Sequence, residues 1–164
     1  ERQCAERGIA LIDAPVSGGS PAAEAGTLTV MCGGRQEAFD GALPVFRTFG
    51  KLVVLLGPVG AGQRAKIINN AMLSAHMGSA MAAHDAAAAL DIGREAFAEL
   101  INASSGRSFG FEVFSRLPSP AAFATGAPLL LKDINLLKAI LPGNVGAAEL
   151  DAAAARFLAA ANPA

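Results

Sequence analysis

The stretch Gly57-Pro-Val-Gly-Ala-Gly-Gln-Arg-Ala-Lys-Ile-Ile-Asn-Asn70 marks the point at which the chain changes character. An apolar run with β propensity, Lys51–Leu56, precedes it, and a helical pattern begins directly after its last glycine. The glycines permit a tight passage from strand to helix and a close approach of another backbone or a ligand. Lys66 and Asn70 lie at positions i and i+4, so a helix would present an ammonium and a carboxamide on one face.

Two interpretations of this pair are open on spacing alone. A lysine and an asparagine near a helix start are usually solvated surface residues. Alternatively, Lys66 exchanges a proton with a substrate while Asn70 holds a substrate oxygen. The remainder of the chain favours the second interpretation.

The composition predicts a globular protein. Of 164 residues, 52% are hydrophobic and 16% charged, which is enough for a core. A net charge of −1 and an aromatic content of 5%, without Trp or Tyr, argue against nucleic-acid and membrane partners. Cys4 and Cys32 make no disulfide framework, and neither Cys-x-x-Cys nor paired His spacing occurs. We therefore predict reduced thiols, a cytoplasmic location and no metal site.

Residues 1–61 show a βαβ-like rhythm, which predicts the tail of an open α/β sheet. A helix interrupted near Pro44 is expected between two of the strands. The predicted strands are Ile9–Ile12, Gly26–Met31 and Lys51–Leu56, and the predicted helices are Glu1–Arg7 and Glu37–Phe49.

Residues 62–164 contain no strand pattern and predict an all-α domain led by a long helix. Pro118–Pro128 is expected to be a connection. The predicted helices are Gln63–Leu90, Arg94–Ser104, Phe109–Leu117, Leu129–Leu141 and Ala147–Ala160.

Gly60-Ala-Gly-Gln-Arg-Ala65 matches the dinucleotide fingerprint G-x-G-x-x-G/A, but its context contradicts that interpretation. The fingerprint needs a second strand about 30 residues on, whereas here a long Ala-rich helix follows. A P-loop also fails, because Gln63 follows the last glycine. His76 and His84 lie on the long apolar helix, which favours core or interface histidines over ligands.

Two further motifs have both a structural and a functional interpretation. Val16-Ser-Gly-Gly19 is either an ordinary turn or an anion cradle of backbone N–H groups and the Ser17 hydroxyl. Lys132-Asp133 is either a solvated helix turn or a pair in which Lys132 reaches a cofactor while Asp133 fixes the helix or a neighbour.

Three ordered segments closely resemble the β-hydroxyacid dehydrogenases, the family of 3-hydroxyisobutyrate dehydrogenase and tartronate semialdehyde reductase. The resemblance extends from about residue 5 to about residue 140. Its motifs are Asp13-Ala-Pro-Val-Ser-Gly-Gly19 with Gly26-Thr-Leu-Thr29, then Gly57-x-x-Gly-x-Gly-x-x-x-Lys66-x-x-Asn-Asn70, and then Lys132-Asp133-x-x-Leu136.

The resemblance implies a Rossmann-type domain, of which residues 1–61 are the C-terminal part, joined to a helical dimerisation and substrate domain over residues 62–164. It also implies oxidation of a 3-hydroxy acid by NAD or NADP, or reduction of the semialdehyde, in a homodimer or homotetramer. The implied roles are general acid/base for Lys66, substrate binding for Ser17, Gly18, Gly19 and Asn70, cofactor contact for Lys132 and structural support for Asp133.

The family's N-terminal nucleotide fingerprint is absent, and the chain opens on Glu1 without a start methionine or signal peptide. We therefore expect a fragment with little activity in isolation. Related 6-phosphogluconate dehydrogenases usually carry His at the position of Gln63 and His-Asn at Asn69-Asn70, which favours the hydroxyisobutyrate-like branch. A 6-phosphogluconate dehydrogenase-like enzyme and a non-catalytic helical dimerisation module stay as alternatives. The sequence does not indicate which hydroxy acid is the substrate or whether the cofactor is NAD or NADP.

Overall fold

In the computed structural model, which describes residues 1–162, the chain divides between Lys66 and Ile67 into two units. We call Glu1–Lys66 the sheet unit and the part from Ile67 onward the helical unit. The predicted order, an α/β remnant followed by an α-helical part with a long helix, is confirmed.

The sheet unit contains a three-stranded sheet in the order β1-β2-β3. β1 and β2 are antiparallel, with Ser17 opposite Thr29, while β2 and β3 are parallel. The parallel pair is joined through a helix, as a crossover requires. The elements are α1 Arg2–Ala5, β1 Val16–Ser17, α2 Gly19–Glu24, β2 Leu28–Cys32, α3 Gln36–Phe46 and β3 Gly50–Leu55.

The central strand β2 supplies the core of the sheet unit. Val30 and Cys32 are fully buried and cluster with Phe39 of α3. Ile12, Leu43, Phe46 and Val53 are among the partly buried residues that pack against this cluster. Burial of an apolar side chain contributes about 1.5–3 kcal/mol, so this small cluster is what fixes α3 against the sheet.

Two predictions for the sheet unit are wrong. Ile9–Ile12 forms no strand, because the Ile9 N–H donates to the carbonyl of Cys4 in the turn that ends α1, and Ile9 is 55% exposed. Periodicity alone does not distinguish such a short apolar run from a strand. Pro44 does not interrupt its helix, since α3 continues through it to Phe46.

The helical unit begins within a long helix, and every strand of the described residues precedes it. A short 3₁₀ turn, Pro120–Phe123, lies in the predicted Pro/Ala-rich connection. The helices are α4 Ala61–Ala89, α5 Arg94–Asn102, α6 Phe109–Arg116, α7 Ala127–Ile140 and α8 Val145–Ala161.

One cluster of buried side chains forms the core of the helical unit. Met77 of α4, Ile134 of α7 and Phe157 of α8 are each at most 1% exposed. Alanines fill the remaining positions, and Ala71, Ala127 and Ala154 are fully buried. Small side chains let helix axes approach closely, which explains why so Ala-rich a sequence forms a packed bundle.

His84 is a core residue of the helical unit, as the sequence predicts. It is 6% exposed, its Nε2 lies 2.9 Å from the Ser115 hydroxyl, and its ring stacks on Phe111 at 5.2 Å. Burial, and secondly the charge of Arg94, lower the pKa of His84 from its ordinary value of 6.5, while Asp85 acts in the opposite direction.

We expect the chain to lose stability as the pH falls below about 6.5. Because the folded state disfavours protonated His84, the unfolded chain binds more protons, and acid shifts the equilibrium toward it. Thermal unfolding between pH 8 and 5.5 measures this effect. His84→Leu is expected to flatten the profile, whereas His76→Leu, at the chain's other histidine, is expected to leave most of the slope. An unchanged slope in the His84 variant would contradict the prediction.

Candidate functional site

Asp13 fixes the beginning of α4. Its Oδ1 accepts a hydrogen bond from the Gly60 N–H at 2.5 Å, and its Oδ2 accepts one from the Gln63 N–H at 2.8 Å. The Asp13 backbone in turn exchanges two hydrogen bonds with Gly33 at the end of β2. A carboxylate at a helix N-terminus satisfies unpaired N–H groups and is attracted by the helix dipole.

Two glycines make this anchor sterically possible. A Cβ on Gly33 would overlap Asp13 Oδ1 and lie 2.8 Å from the Ala61 nitrogen, and one on Gly62 would overlap the carbonyl oxygen of Met31. Within the G-x-G-x-x-A stretch, Gly62 therefore approaches the protein's own backbone, whereas a Cβ on Gly60 would meet the Arg64 side chain. Because Asp13 places a negative charge on the N–H groups that a pyrophosphate would need, these residues do not fit a dinucleotide phosphate.

Asp13→Ala is expected to destabilise the chain by about 2 kcal/mol, because α4 would lose its N-terminal acceptor. Asp13→Asn is expected to cost less, since its single amide oxygen can still accept one of the two bonds. Denaturant unfolding measures both effects. Asp40→Ala, which removes an exposed bond to Gln36 in the same unit, is the control. Equal stability of Asp13→Ala and the control would contradict the anchor.

Ser17, Gly18 and Gly19 lie where β1 ends and α2 begins. Ser17 is half-buried, and both glycines are exposed and have positive φ, at 130° and 64°. A Cβ on Gly18 would overlap the Cβ of Ala22. The predicted carboxylate loop is thus a glycine-dependent turn whose backbone is accessible, four residues beyond the Asp13 anchor.

Lys66 lies on the second turn of α4 and is half-buried. It belongs to the same unit as the Ser17–Gly19 turn and directly follows the Asp13-anchored start of the helix. Anchoring the first turn limits fraying, so the lysine side chain extends from a fixed backbone.

Asn70 and Asp133 are held together inside the helical unit. Asn70 Nδ2 donates to Asp133 Oδ2 at 2.6 Å, and its Oδ1 accepts from Asn69 Nδ2 at 3.3 Å. Asp133 is 7% exposed, whereas Asn70 is half-buried. The structure therefore brings together two residues that belong to separate sequence motifs.

Lys132 is exposed on α7. Its side chain is 63% exposed, and its Nζ lies 3.3 Å from Asp133 Oδ1. It borders an open, mostly apolar depression of about 500 Å³ that also includes Leu131, Asn135 and Asn162. An exposed ammonium beside such a depression is able to bind an anionic group.

Cys32 is not a candidate nucleophile. It is fully buried in β2, and burial, with the nearby charge of Asp13 as a second cause, raises the pKa of its thiol. The thiol is therefore protonated near neutral pH. Among residues 1–162, no group of three His, Cys, Asp or Glu side chains is placed to hold a metal ion.

The role of Asp13 is not predictable from the sequence, in which this residue is only the first position of a motif. The partner N–H groups are 47 and 50 residues away, so no local pattern indicates the contact.

No helix within the described part of the chain is both long enough and apolar enough to span a membrane.

Both parts of the chain match known protein families. Residues 60–164 match the family described as the NAD-binding domain of NADP-dependent 3-hydroxyisobutyrate dehydrogenase. Residues 1–57 match the NAD-binding domain of 6-phosphogluconate dehydrogenase.

Two curated relatives are each 40% identical to the chain. NAD-dependent L-serine dehydrogenase of Pseudomonas aeruginosa aligns with 80% of the chain and 47% of its own length. 2-(Hydroxymethyl)glutarate dehydrogenase of Eubacterium barkeri aligns with 86% of the chain and 48% of its own length. The chain therefore spans about half the length of these relatives.

A solved structure supports the fold. Mycobacterium tuberculosis 3-hydroxyisobutyrate dehydrogenase, determined with L-serine, superposes with a TM-score of 0.77 at 26% identity. The superposition covers 95% of this chain and 57% of that one.

Proposed function

The chain belongs to the β-hydroxyacid dehydrogenase family of 3-hydroxyisobutyrate dehydrogenase, and from that premise we propose that the protein carrying it transfers a hydride between a 3-hydroxy acid and NAD or NADP. The observation that supports this most directly is the pair Lys66 and Asn70 on α4, with the Asn70 amide held by a buried carboxylate. These residues supply a proton carrier and a fixed hydrogen-bonding group, which alcohol oxidation requires.

The names of the relatives indicate the substrate class. L-Serine, 2-(hydroxymethyl)glutarate and 3-hydroxyisobutyrate all carry a primary alcohol on the carbon next to the one that bears a carboxylate. We propose that this chain's protein takes a substrate with the same unit. The Ser17–Gly19 turn would bind its carboxylate through backbone N–H groups and the Ser17 hydroxyl.

The proposed reaction divides the work among the residues. A bound nicotinamide would supply the hydride acceptor in oxidation and the hydride donor in reduction. Lys66 accepts the hydroxyl proton in oxidation and donates it back to the oxygen in reduction. Asn70 holds that oxygen, so that the proton and the hydride leave along fixed directions. Lys132 contributes positive charge for an anionic group of the cofactor.

The test is turnover by the purified full-length protein with NAD⁺ or NADP⁺. The substrate panel contains the three primary alcohols named above and 6-phosphogluconate, and formation of reduced nicotinamide is the measurement. Lactate, whose hydroxyl lies on the carbon next to the carboxylate, is the matched negative control. Turnover of none of the three would contradict the proposal, and turnover of 6-phosphogluconate alone would support that related enzyme instead.

We also propose that the protein is a cytoplasmic homodimer or homotetramer. The helical unit exposes several large apolar side chains, among them Leu90 at 72% and Val145 at 70%, which subunit contacts would cover. Light scattering on the purified protein measures the assembly. A monomer at micromolar concentration would contradict this part.

A further inference from the structure

Asp133 is a buried charged residue to which the proposed reaction gives no direct task. It is 7% exposed on α7, on the helix face that also buries Ile134 and Leu137. Its neighbour Lys132 is mostly exposed and lies at 3.3 Å, so solvent screens that ion pair. The shorter contact of Asp133 is the 2.6 Å bond from Asn70, a residue of α4.

A carboxylate at this position is costly for the helical unit. Removing a charge from water carries a penalty, which hydrogen bonds and charged partners must offset. The bond to Asn70 is charge-assisted and therefore among the stronger hydrogen bonds in a protein. This hydrogen bond orients the Asn70 carboxamide, because it fixes the position of the Nδ2 group.

The chemistry of the two groups allows only one orientation of that amide. An ionised carboxylate accepts hydrogen bonds and does not donate them, so Asn70 must turn its Nδ2 toward Asp133. The Nδ2 group has a second N–H, and Oδ1 is directed elsewhere, within 3.3 Å of Asn69 Nδ2. In the flipped orientation an amide oxygen would face the carboxylate, which is repulsive.

We propose that Asp133 is a positioning residue that acts through Asn70. Asp133 accepts a hydrogen bond from one Nδ2–H of Asn70. The other Nδ2–H is thereby directed toward the oxygen of the substrate alcohol, whose own proton remains available to Lys66. The inference rests on the proposed dehydrogenase function. It goes beyond the role that the sequence suggests for Asp133, which is structural support that fixes the helix or a neighbour, because it names Asn70 as the group that is oriented and the reaction step that depends on it.

A double-mutant cycle in the full-length enzyme tests this path. Asp133→Leu is expected to lower kcat by about 10- to 100-fold with little change in the KM of the hydroxy acid, because the fault is misorientation. Asn70→Ala is expected to lower kcat at least as much. If Asp133 acts through Asn70, the double variant equals Asn70→Ala alone. Losses that multiply, or an unaffected Asp133→Leu enzyme, would overturn the proposal.

A second readout does not depend on turnover. The side-chain NH₂ resonances of Asn70 in a ¹⁵N spectrum, assigned by their loss in Asn70→Ala, are expected to shift in Asp133→Leu. They should stay in place in Asp151→Leu, which removes the 2.6 Å ion pair with Lys138 elsewhere in the same unit. An unmoved amide would overturn the inference even in an active enzyme, whereas a moved amide without turnover would count against the dehydrogenase function alone.

Thermal unfolding shows whether the leucine variant folds. If it does not, Asp133→Asn replaces it, because it keeps the shape of the side chain and removes its charge. The asparagine is expected to give a smaller loss of kcat and the same non-additivity with Asn70→Ala. Multiplying losses in this second cycle would likewise overturn the proposal.

Discussion

Lys66→Ala in the full-length protein is expected to lower kcat by about 10²- to 10⁴-fold, the range typical of losing a positioned general acid or base. The hydride cannot leave the alcohol carbon readily unless the hydroxyl proton leaves as well, and Lys66 is the residue proposed to take it. Steady-state formation of reduced nicotinamide from the best substrate of the panel measures the effect. KM for the acid should change much less, because the carboxylate is proposed to bind elsewhere, at Ser17–Gly19.

Two further variants separate proton transfer from charge. Lys66→Arg keeps a positive charge but does not release a proton in the accessible pH range, so it is expected to be nearly as impaired as the alanine variant. Lys51→Ala removes an exposed lysine from β3 of the same unit and is expected to leave kcat unchanged. Near-normal turnover of Lys66→Ala with an intact fold would remove Lys66 from the mechanism.

The parts of the fold that the sequence predicts well are those with a local cause. The uninterrupted Ala-rich pattern from Gln63 to Leu90 predicts one long helix, and α4 covers Ala61–Ala89. The run Lys51–Leu56 predicts a strand that the structure places at Gly50–Leu55. Intrinsic propensity and apolar periodicity act within a few residues, so a single chain contains the necessary information.

The contacts that the sequence does not predict are non-local. Nothing near Asp13 indicates that its carboxylate reaches an N–H group 47 residues later, and nothing near Asp133 indicates a partner 63 residues earlier. Both acidic residues occur inside motifs that carry the family resemblance, yet the resemblance supplied a position and not a partner. A geometric role of this kind becomes visible only when the packing of the elements is known.

The distinction between local and non-local causes also applies to the glycines at the start of α4. Their sequence pattern matches a phosphate-binding loop, and the expectation that they serve a tight passage instead came from the absence of a following strand. The structure adds the steric reason at Gly62, where a Cβ would overlap the carbonyl oxygen of Met31 and approach the Asp13 carboxylate. Close packing within the protein and close approach to a ligand require the same residue type, so the sequence alone cannot separate them.

Gly78 gives the largest stability effect that we expect in the helical unit. A Cβ on Gly78 of α4 would overlap the backbone carbonyl oxygen of Ala153 in α8. A backbone group cannot rotate away as a flexible side chain does, so Gly78→Ala must push the two helices apart where Met77 and Ala154 are fully buried. We expect a loss of about 3 kcal/mol in the free energy of unfolding, at the upper end for overpacking.

Thermal unfolding of the 164-residue chain measures this loss, which corresponds to a Tm lower by roughly 6–12 °C. Gly146→Ala in α8 is the matched control, because its new Cβ would meet only the Asn144 side-chain oxygen at an ordinary 3.4 Å. In a helix, alanine is otherwise favoured over glycine by about 1 kcal/mol, so the control is expected to be neutral or slightly stabilising. If Gly78→Ala behaved like Gly146→Ala, the close approach of α4 and α8 would be wrong, because helix propensity without a steric clash predicts a gain and not a loss at Gly78.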